Sequence, residues 1–319
     1  MSRKRSFPAY GLLAIGVLVI GEILLFSGQA LVRQWFYLIA WWSYIFAIDA
    51  LIYYLKGNSL FKSRRREFFL LLPWSVFFWL VFEWFNLFLK NWHYVDIIAN
   101  RPLRWIGYYL SFATVLPGLF ETYELLFTLG FGARSRVPPL RAPERLYLPL
   151  VALGLVCLVL PVIWPLYFFP LVWGGFIFLL EPINHRFGGD SLLEDWQQGR
   201  PQRFYLLLLA GLICGFLWEF WNFWAQAKWV YTVPWVGDLK LFEMPLPGFL
   251  GFPPFAVECF VMYNFVCLLR GGRCWQAERA SLSGGARPVL VILAVAVHLL
   301  FVPYMFLQID RHTVISFLP

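Results

Sequence analysis

The 319 residues are 61% hydrophobic and 14% charged, and the net charge is +8. The apolar residues come in blocks of about 20 rather than in amphipathic stripes, which excludes a soluble globular enzyme and indicates an all-α, polytopic integral membrane protein. The basic residues lie in short loops between the blocks instead of along one groove, so orientation in a bilayer explains them and a nucleic-acid partner is excluded.

In chain order, the basic start Met1–Arg5 precedes an apolar run with no A-x-A cleavage site, and is expected to be the cytoplasmic tail of a retained first helix. Nine stretches reach the length of about 20 residues that a spanning helix needs: Tyr10–Ala30, Trp35–Leu55, Phe68–Leu89, Tyr109–Phe131, Leu146–Ile163, Leu166–Ile183, Phe204–Trp224, Phe249–Leu269 and Val289–Ile309. The fifth and sixth are separated only by Trp164 and Pro165, which predicts a tight helical hairpin or one long kinked helix. With the N-terminus inside, 19 of the 26 Lys and Arg residues fall in cytoplasmic loops. The expected location is therefore a bacterial-type inner membrane with the C-terminus outside. The 17 tryptophans, many near block ends, suit the headgroup zone. Five cysteines without CxxC spacing, Cys157, Cys214, Cys259, Cys267 and Cys274, indicate neither a disulfide framework nor a zinc site.

The chain repeats itself. Trp41, Asp49, Gly57, Ser59 and Leu60 match Trp173, Glu181, Gly189, Ser191 and Leu192 at an offset of 132. Phe82–Asn86 matches Trp218–Asn222 at 136, and Trp92, Tyr94, Pro117 and Glu121 match Trp229, Tyr231, Pro254 and Glu258 at 137. Two four-helix units follow, 1–131 and 132–271, with a cytoplasmic loop and a ninth helix in 272–319 outside the duplication. An even number of helices per unit gives both copies the same orientation, related by an axis along the membrane normal.

Eight acids fall within the predicted spans: Glu22, Asp49, Glu83, Glu121, Glu124, Glu181, Glu219 and Glu258. A carboxylate at mid-membrane costs at least ~2.5–3.5 kcal/mol, so these must face one another, a cavity or a cation. Six form matched pairs, and a twofold arrangement is expected to gather Glu83, Glu219, Glu121 and Glu258 into a central acidic chamber in the outer half of the membrane. Asn86 and Asn222 lie three residues beyond Glu83 and Glu219, hence on the same helix faces. These six are the expected catalytic set, acting as acid/base or cation-stabilising groups. The alternative is interhelical hydrogen bonding alone.

Trp92, Tyr94, Trp229 and Tyr231 are expected to contact substrate through their ring faces, which attract a cation or an extended polyene; an aromatic belt is the alternative. Lys228, Lys240 and Glu243 suggest a lid. The loop His185–Arg203 carries Asp190, Glu194, Asp195, Arg186, Arg200 and Arg203, which reads as a salt-bridged loop or as a phosphate site. The isolated histidines His93, His185, His298 and His312 provide no di-iron cluster, and His298 is expected to be a packing residue.

The layout, with two four-helix halves and polar loops after the second and sixth helices, resembles the UbiA-type prenyltransferases. It is also similar to membrane carotenoid (lycopene) cyclases, which combine repeats with intramembrane acids. The resemblance implies a long isoprenoid or other lipid substrate. UbiA-like enzymes hold magnesium diphosphate with NxxxD and DxxxD motifs; the corresponding places read Asp49-Ala-Leu-Ile-Tyr53 and Glu181-Pro-Ile-Asn-His185, without the second aspartate. Asp49 and Glu181 are thus the nearest metal-ligand candidates, and no clear motif specifies a divalent cation or other cofactor. A membrane-embedded enzyme on an apolar lipid is expected, with a proton- or cation-coupled transporter or channel as the alternative.

Overall fold

A computed structural model describes residues 6–235, 237, 239–270, 275–276 and 288–315. The predicted tail up to Arg5, most of the loop 270–287 and Cys274 lie outside the described residues. The chain is helical with two short antiparallel ribbons. Among the described residues, eight helices are long and apolar enough to cross a membrane. Their outward sides carry large exposed apolar residues such as Leu13, Leu31, Leu148 and Leu300. That surface suits lipid, since a helix with every backbone group bonded internally needs only apolar side chains outside.

The first half runs α1 (Ala9–Phe26), α2 (Ala30–Lys56), the short α3 (Leu60–Ser63), α4 (Arg65–Leu89), strand β1 (Trp92–Val95), α5 (Arg101–Phe112) and α6 (Val115–Thr128). The second runs α7 (Tyr147–Ile163), α8 (Pro165–Phe168), α9 (Gly175–Arg186), the short α10 (Leu192–Gln197), α11 (Gln202–Trp224), strand β2 (Lys228–Tyr231), a small hairpin of β3 (Lys240–Leu241) and β4 (Met244–Pro245), and α12 (Phe252–Leu269). Last comes α13 (Pro288–His312). The ends of α4 and α11 carry the β1–β2 ribbon. The starts of the same helices follow α3 and α10, at the end of the bundle that holds Lys56, Arg64 and Arg270.

The predicted span Tyr109–Phe131 is not one helix but α5 and α6, separated at Ala113 and Thr114. Pro117 lacks the N–H that the Ala113 carbonyl would need in a continuous helix. Ser75 of α4 closes the gap, its Oγ donating to the Phe112 carbonyl (2.6 Å) and accepting from the Leu116 N–H (3.0 Å). At Trp164–Pro165 the chain turns back and α9 packs on α7, so the hairpin forms rather than the long kinked helix. The approach is close enough that a Cβ on Gly154 would lie 2.5 Å from the Leu179 nitrogen. Residues 169–173 between α8 and α9 form a 3-10 turn, so the sixth predicted span is interrupted as well. Cys267 takes part in a disulfide, which the cysteine spacing does not foresee.

Helix α13 is fixed by a buried clamp. Arg104 of α5 donates from Nε and Nη2 to the two carboxylate oxygens of Asp310, both at 2.8 Å, and Trp105 and Tyr108 donate to the same carboxylate. Beyond the helix, the Thr313 carbonyl accepts from the Tyr94 N–H at 2.9 Å, tying the chain to the free edge of β1.

Candidate aromatic cavity beneath the ribbon

The site grows out of the ribbon. Its register sets Trp92 opposite Tyr231, His93 opposite Val230 and Tyr94 opposite Trp229. Alternate strand residues share a face, so the four aromatics project together, with Trp92 and Tyr94 buried. Beneath them lies a cavity of about 200 Å³. Its other walls are aromatic too: Tyr37 of α2, Trp79 of α4, Tyr108 and Phe112 of α5, Trp173, and Trp218 of α11. The expected aromatic contacts are therefore brought together, and from both halves. Sequence reading missed Trp79, Trp173, Trp218, Tyr37 and Tyr108. The signal for Trp79 was its place four residues before Glu83, one helical turn away.

Glu83 and Glu219 do not line the cavity; they stand behind its rings. Glu83 Oε1 accepts from Trp79 Nε1 (2.9 Å), Trp92 Nε1 (3.0 Å) and the Tyr94 hydroxyl (2.5 Å). Glu219 Oε1 accepts from the Tyr231 hydroxyl at 2.8 Å, which in turn accepts from Trp229 Nε1 at 2.9 Å. Each carboxyl group thus orients rings of its own half by hydrogen bonds. Burial, and then the adjacent carboxylate, hold the Tyr94 and Tyr231 phenols well above their ordinary pKa, so both remain donors.

Asn86 and Asn222 were expected among the catalytic groups, yet their amides are taken up by the ribbon's backbone. Asn86 Nδ2 donates to the Trp92 carbonyl (2.9 Å) and Oδ1 accepts from the N–H groups of Asn91 (2.8 Å) and Trp92 (3.3 Å). Asn222 makes the corresponding pair with Trp229, at 2.8 and 2.9 Å. Buried backbone at a helix-to-strand turn needs such partners, and this is what the asparagines supply.

The expected chamber of four glutamates does not form. Glu121 lies beside Asp49, Glu124 and Arg64, whereas Glu258 accepts the Phe176 N–H at 2.7 Å. Glu121 and Glu258 thus have their neighbours within their own halves, whereas buried Glu67 crosses between halves to pair with Arg270 at 2.8 Å. Glu22, counted with the buried acids from sequence, is only half-buried.

Asp49 and Glu181, the metal candidates, each bond to the start of a short helix. Asp49 accepts from Ser59 Oγ (3.0 Å), the Phe61 N–H (2.6 Å) and the Tyr10 hydroxyl (2.5 Å). Glu181 accepts from Ser191 Oγ (2.6 Å) and the Leu193 N–H (2.9 Å). Both carboxylates hold the first turn of the next short helix, where free N–H groups favour an anion. Among the described residues, no group of three or more His, Cys, Asp and Glu side chains is arranged to hold a metal ion.

The remaining polar features make ion pairs and hydrogen bonds. Arg203 pairs with Asp195 (2.9 Å) and Asp190 (3.8 Å), the salt-bridged form of the loop before α11. Lys228 pairs with Glu243 at 2.6 Å, closing the β3–β4 hairpin against β2, while Lys240 is exposed. His298 faces the Tyr109 hydroxyl at 3.2 Å, as a packing residue does. Comparison with known family models, characterised proteins and solved structures yields no match.

Proposed function

We propose that this chain is a membrane-embedded enzyme on a long apolar lipid of the isoprenoid class, whose end enters the aromatic cavity. The observation that carries this reading is the wall itself: aromatic side chains from both halves line one space, and Trp79, Trp92, Tyr94 and Tyr231 donate their N–H or O–H to buried Glu83 or Glu219. A carboxylate accepting from an indole or phenol adds electron density to the ring. The face then attracts positive charge more strongly, by the quadrupole interaction worth about 2 kcal/mol or more when desolvated. Glu83 and Glu219 thereby act as cation-stabilising groups through the rings, a role suited to cyclisation or transfer through a carbocation-like transition state. The volume is below the ~300–1,000 Å³ of sites that enclose a small molecule, so the rest of a long chain stays among the lipids.

A transporter would need these carboxylates along a path. The space below the cavity is instead filled by buried Trp41, packed on Trp218 and Trp221 at ring separations of 5.3 and 5.1 Å, which favours the enzyme.

The reading extends to the architecture: two tandem units in parallel orientation, with α13 outside them, the N-terminus cytoplasmic and the ribbon on the outer side of an inner membrane. Supporting it are the recurrence of the Asp49–Ser59 bond as Glu181–Ser191, that of the Asn86–Trp92 bond as Asn222–Trp229, and a ribbon register that maps onto itself when Trp92 is exchanged with Trp229.

The test is to titrate the purified protein in nanodiscs with isoprenoid alcohols and hydrocarbons, reading quenching of tryptophan fluorescence, and to analyse products by mass spectrometry. Binding is expected, and the Trp92→Ala/Trp229→Ala pair should weaken it about tenfold or more. Quenching that is absent for every isoprenoid, or wild-type affinity in the double variant, would overturn the reading.

A further inference from the structure

A second buried site lies away from the cavity, toward the end of the bundle that carries Lys56 and Arg64. Its centre is Glu121 of α6, which is 0% exposed and has no hydrogen-bond donor on either carboxylate oxygen among the described residues. The groups facing it come from four elements. Helix α2 contributes Asp49, α6 itself contributes Glu124, and the start of α4 contributes Arg64. The Tyr10 hydroxyl of α1, bonded to Asp49, and the Tyr44 hydroxyl of α2 also lie near it.

The protonation states follow from the bonds. Asp49 accepts two hydroxyls and a backbone N–H, the partner set of an ionised carboxylate. Glu124 accepts from Lys56 at 2.8 Å and from Arg64, again as an anion. Glu121 has no such partners, and a third bare carboxylate beside two others in a dry interior would be far costlier than a neutral acid. A proton on Glu121 removes that cost and finds an acceptor in Asp49.

Access comes from the residue one turn away. Glu124 is three positions along α6, on the same face, and its partner Lys56 has a side chain 36% exposed. Its second oxygen, Oε2, is buried without a hydrogen-bond partner, so a proton passed from the Lys56 side has a free lone pair to occupy. On the inner side the next polar atoms are the Tyr44 hydroxyl, 2.8 Å from Thr122 Oγ1, which is 3.2 Å from Cys214 Sγ.

The other half has lost this arrangement. Glu258, at the matching position, is held by the Phe176 N–H, and Val261 stands where Glu124 would be. We infer that Glu121 is a proton-binding site, loaded through Glu124 from the face that carries Lys56 and Arg64. This does not depend on what the aromatic cavity binds.

Infrared difference spectroscopy on the full-length protein in liposomes tests it, because a neutral carboxylic acid has its own C=O stretching band. The wild-type band should shift on transfer to D2O. Glu121→Gln should remove one component of the band, and Glu258→Gln, at a buried carboxyl with a single backbone donor, should leave that component in place. Glu121→Asp keeps the acid, so it should move the band rather than abolish it, which separates loss of the group from loss of the fold. Glu124→Gln should retain the band and slow its deuterium exchange about tenfold or more. A band unchanged in Glu121→Gln, or exchange at the wild-type rate in Glu124→Gln, would overturn the inference.

Discussion

Replacing Glu83 and Glu219 separately by leucine gives the sharpest test of how the ring wall is held. Both carboxyls are 0% exposed, so relief from burying the acid is similar in the two variants and largely cancels between them. The number of donors left behind differs. Glu83→Leu strands Trp79 Nε1, Trp92 Nε1 and the Tyr94 hydroxyl. Glu219→Leu strands the Tyr231 hydroxyl, while Trp229 keeps its bond to that same oxygen. A buried donor without a partner costs about 1–3 kcal/mol, so two additional donors make Glu83→Leu the worse variant by about 2–6 kcal/mol. Thermal unfolding in one detergent, followed by tryptophan fluorescence, reads the difference directly. Glu83→Gln keeps a carbonyl oxygen for all three donors and should recover most of the loss. If Glu219→Leu melted at or below the temperature of Glu83→Leu, the count of donors would not be what sets the stability of the wall.

Other regions yield separate expectations. Asp310→Asn should loosen α13 and expose the C-terminal segment to protease, because breaking a buried, bidentate pair leaves Arg104 short of its counter-charge at a cost of about 3–5 kcal/mol; digestion at the wild-type rate would contradict this. In the loop before α11, burial pushes the Asp195 carboxyl up to about 6, and the nearby Glu194 and Asp190 add to the effect against the pull of Arg203. A folded-state pKa above the unfolded value contributes stability at low pH that is lost as pH rises through about 6. Melting temperature should therefore decline between about pH 4 and pH 6 more in the wild type than in Asp195→Asn, and identical profiles would refute the assignment.

Much of the frame was legible because hydropathy reports it directly: a helix in lipid needs about 20 apolar residues and little else. The break at Ala113–Thr114 was not, since the apolar run continues across it and only Pro117 hints at the missing bond. What decides the break is Ser75, 37 residues from the carbonyl it caps. The acids were found, but their roles were not. A buried carboxylate announces that donors must be near, without saying which. Thus Asp49 and Glu181 read as metal candidates although they cap short helices, and Asn86 and Asn222 read as catalytic although they fasten a ribbon. The four strand aromatics were recognised as a group, while Tyr37, Trp173 and Trp218 join them through packing of helices distant in sequence, which no local pattern encodes.

The two halves share their fastening devices and differ in what those devices hold, and the differences lie on one side. Glu83 gathers three donors where Glu219 has one. The stretch after β1 forms the amphipathic helix α5, which carries Arg104 into the cavity wall, whereas the stretch after β2 forms the β3–β4 hairpin and a 3-10 turn. Among the described residues, the segment from α13 onward braces the first of these, through Asp310 on Arg104 and Thr313 on the edge of β1. The β2 side is held by the Lys228–Glu243 pair and by Phe242 packed on Phe216, Phe220 and Phe223, but all four β2 residues are only half-buried where Trp92 and Tyr94 of β1 are buried, so the cavity is unequal in stiffness. Local opening follows the side with fewer buried contacts, so movement that admits a ligand should begin at the β2 side, with the Glu83 rings as the fixed wall against which it closes.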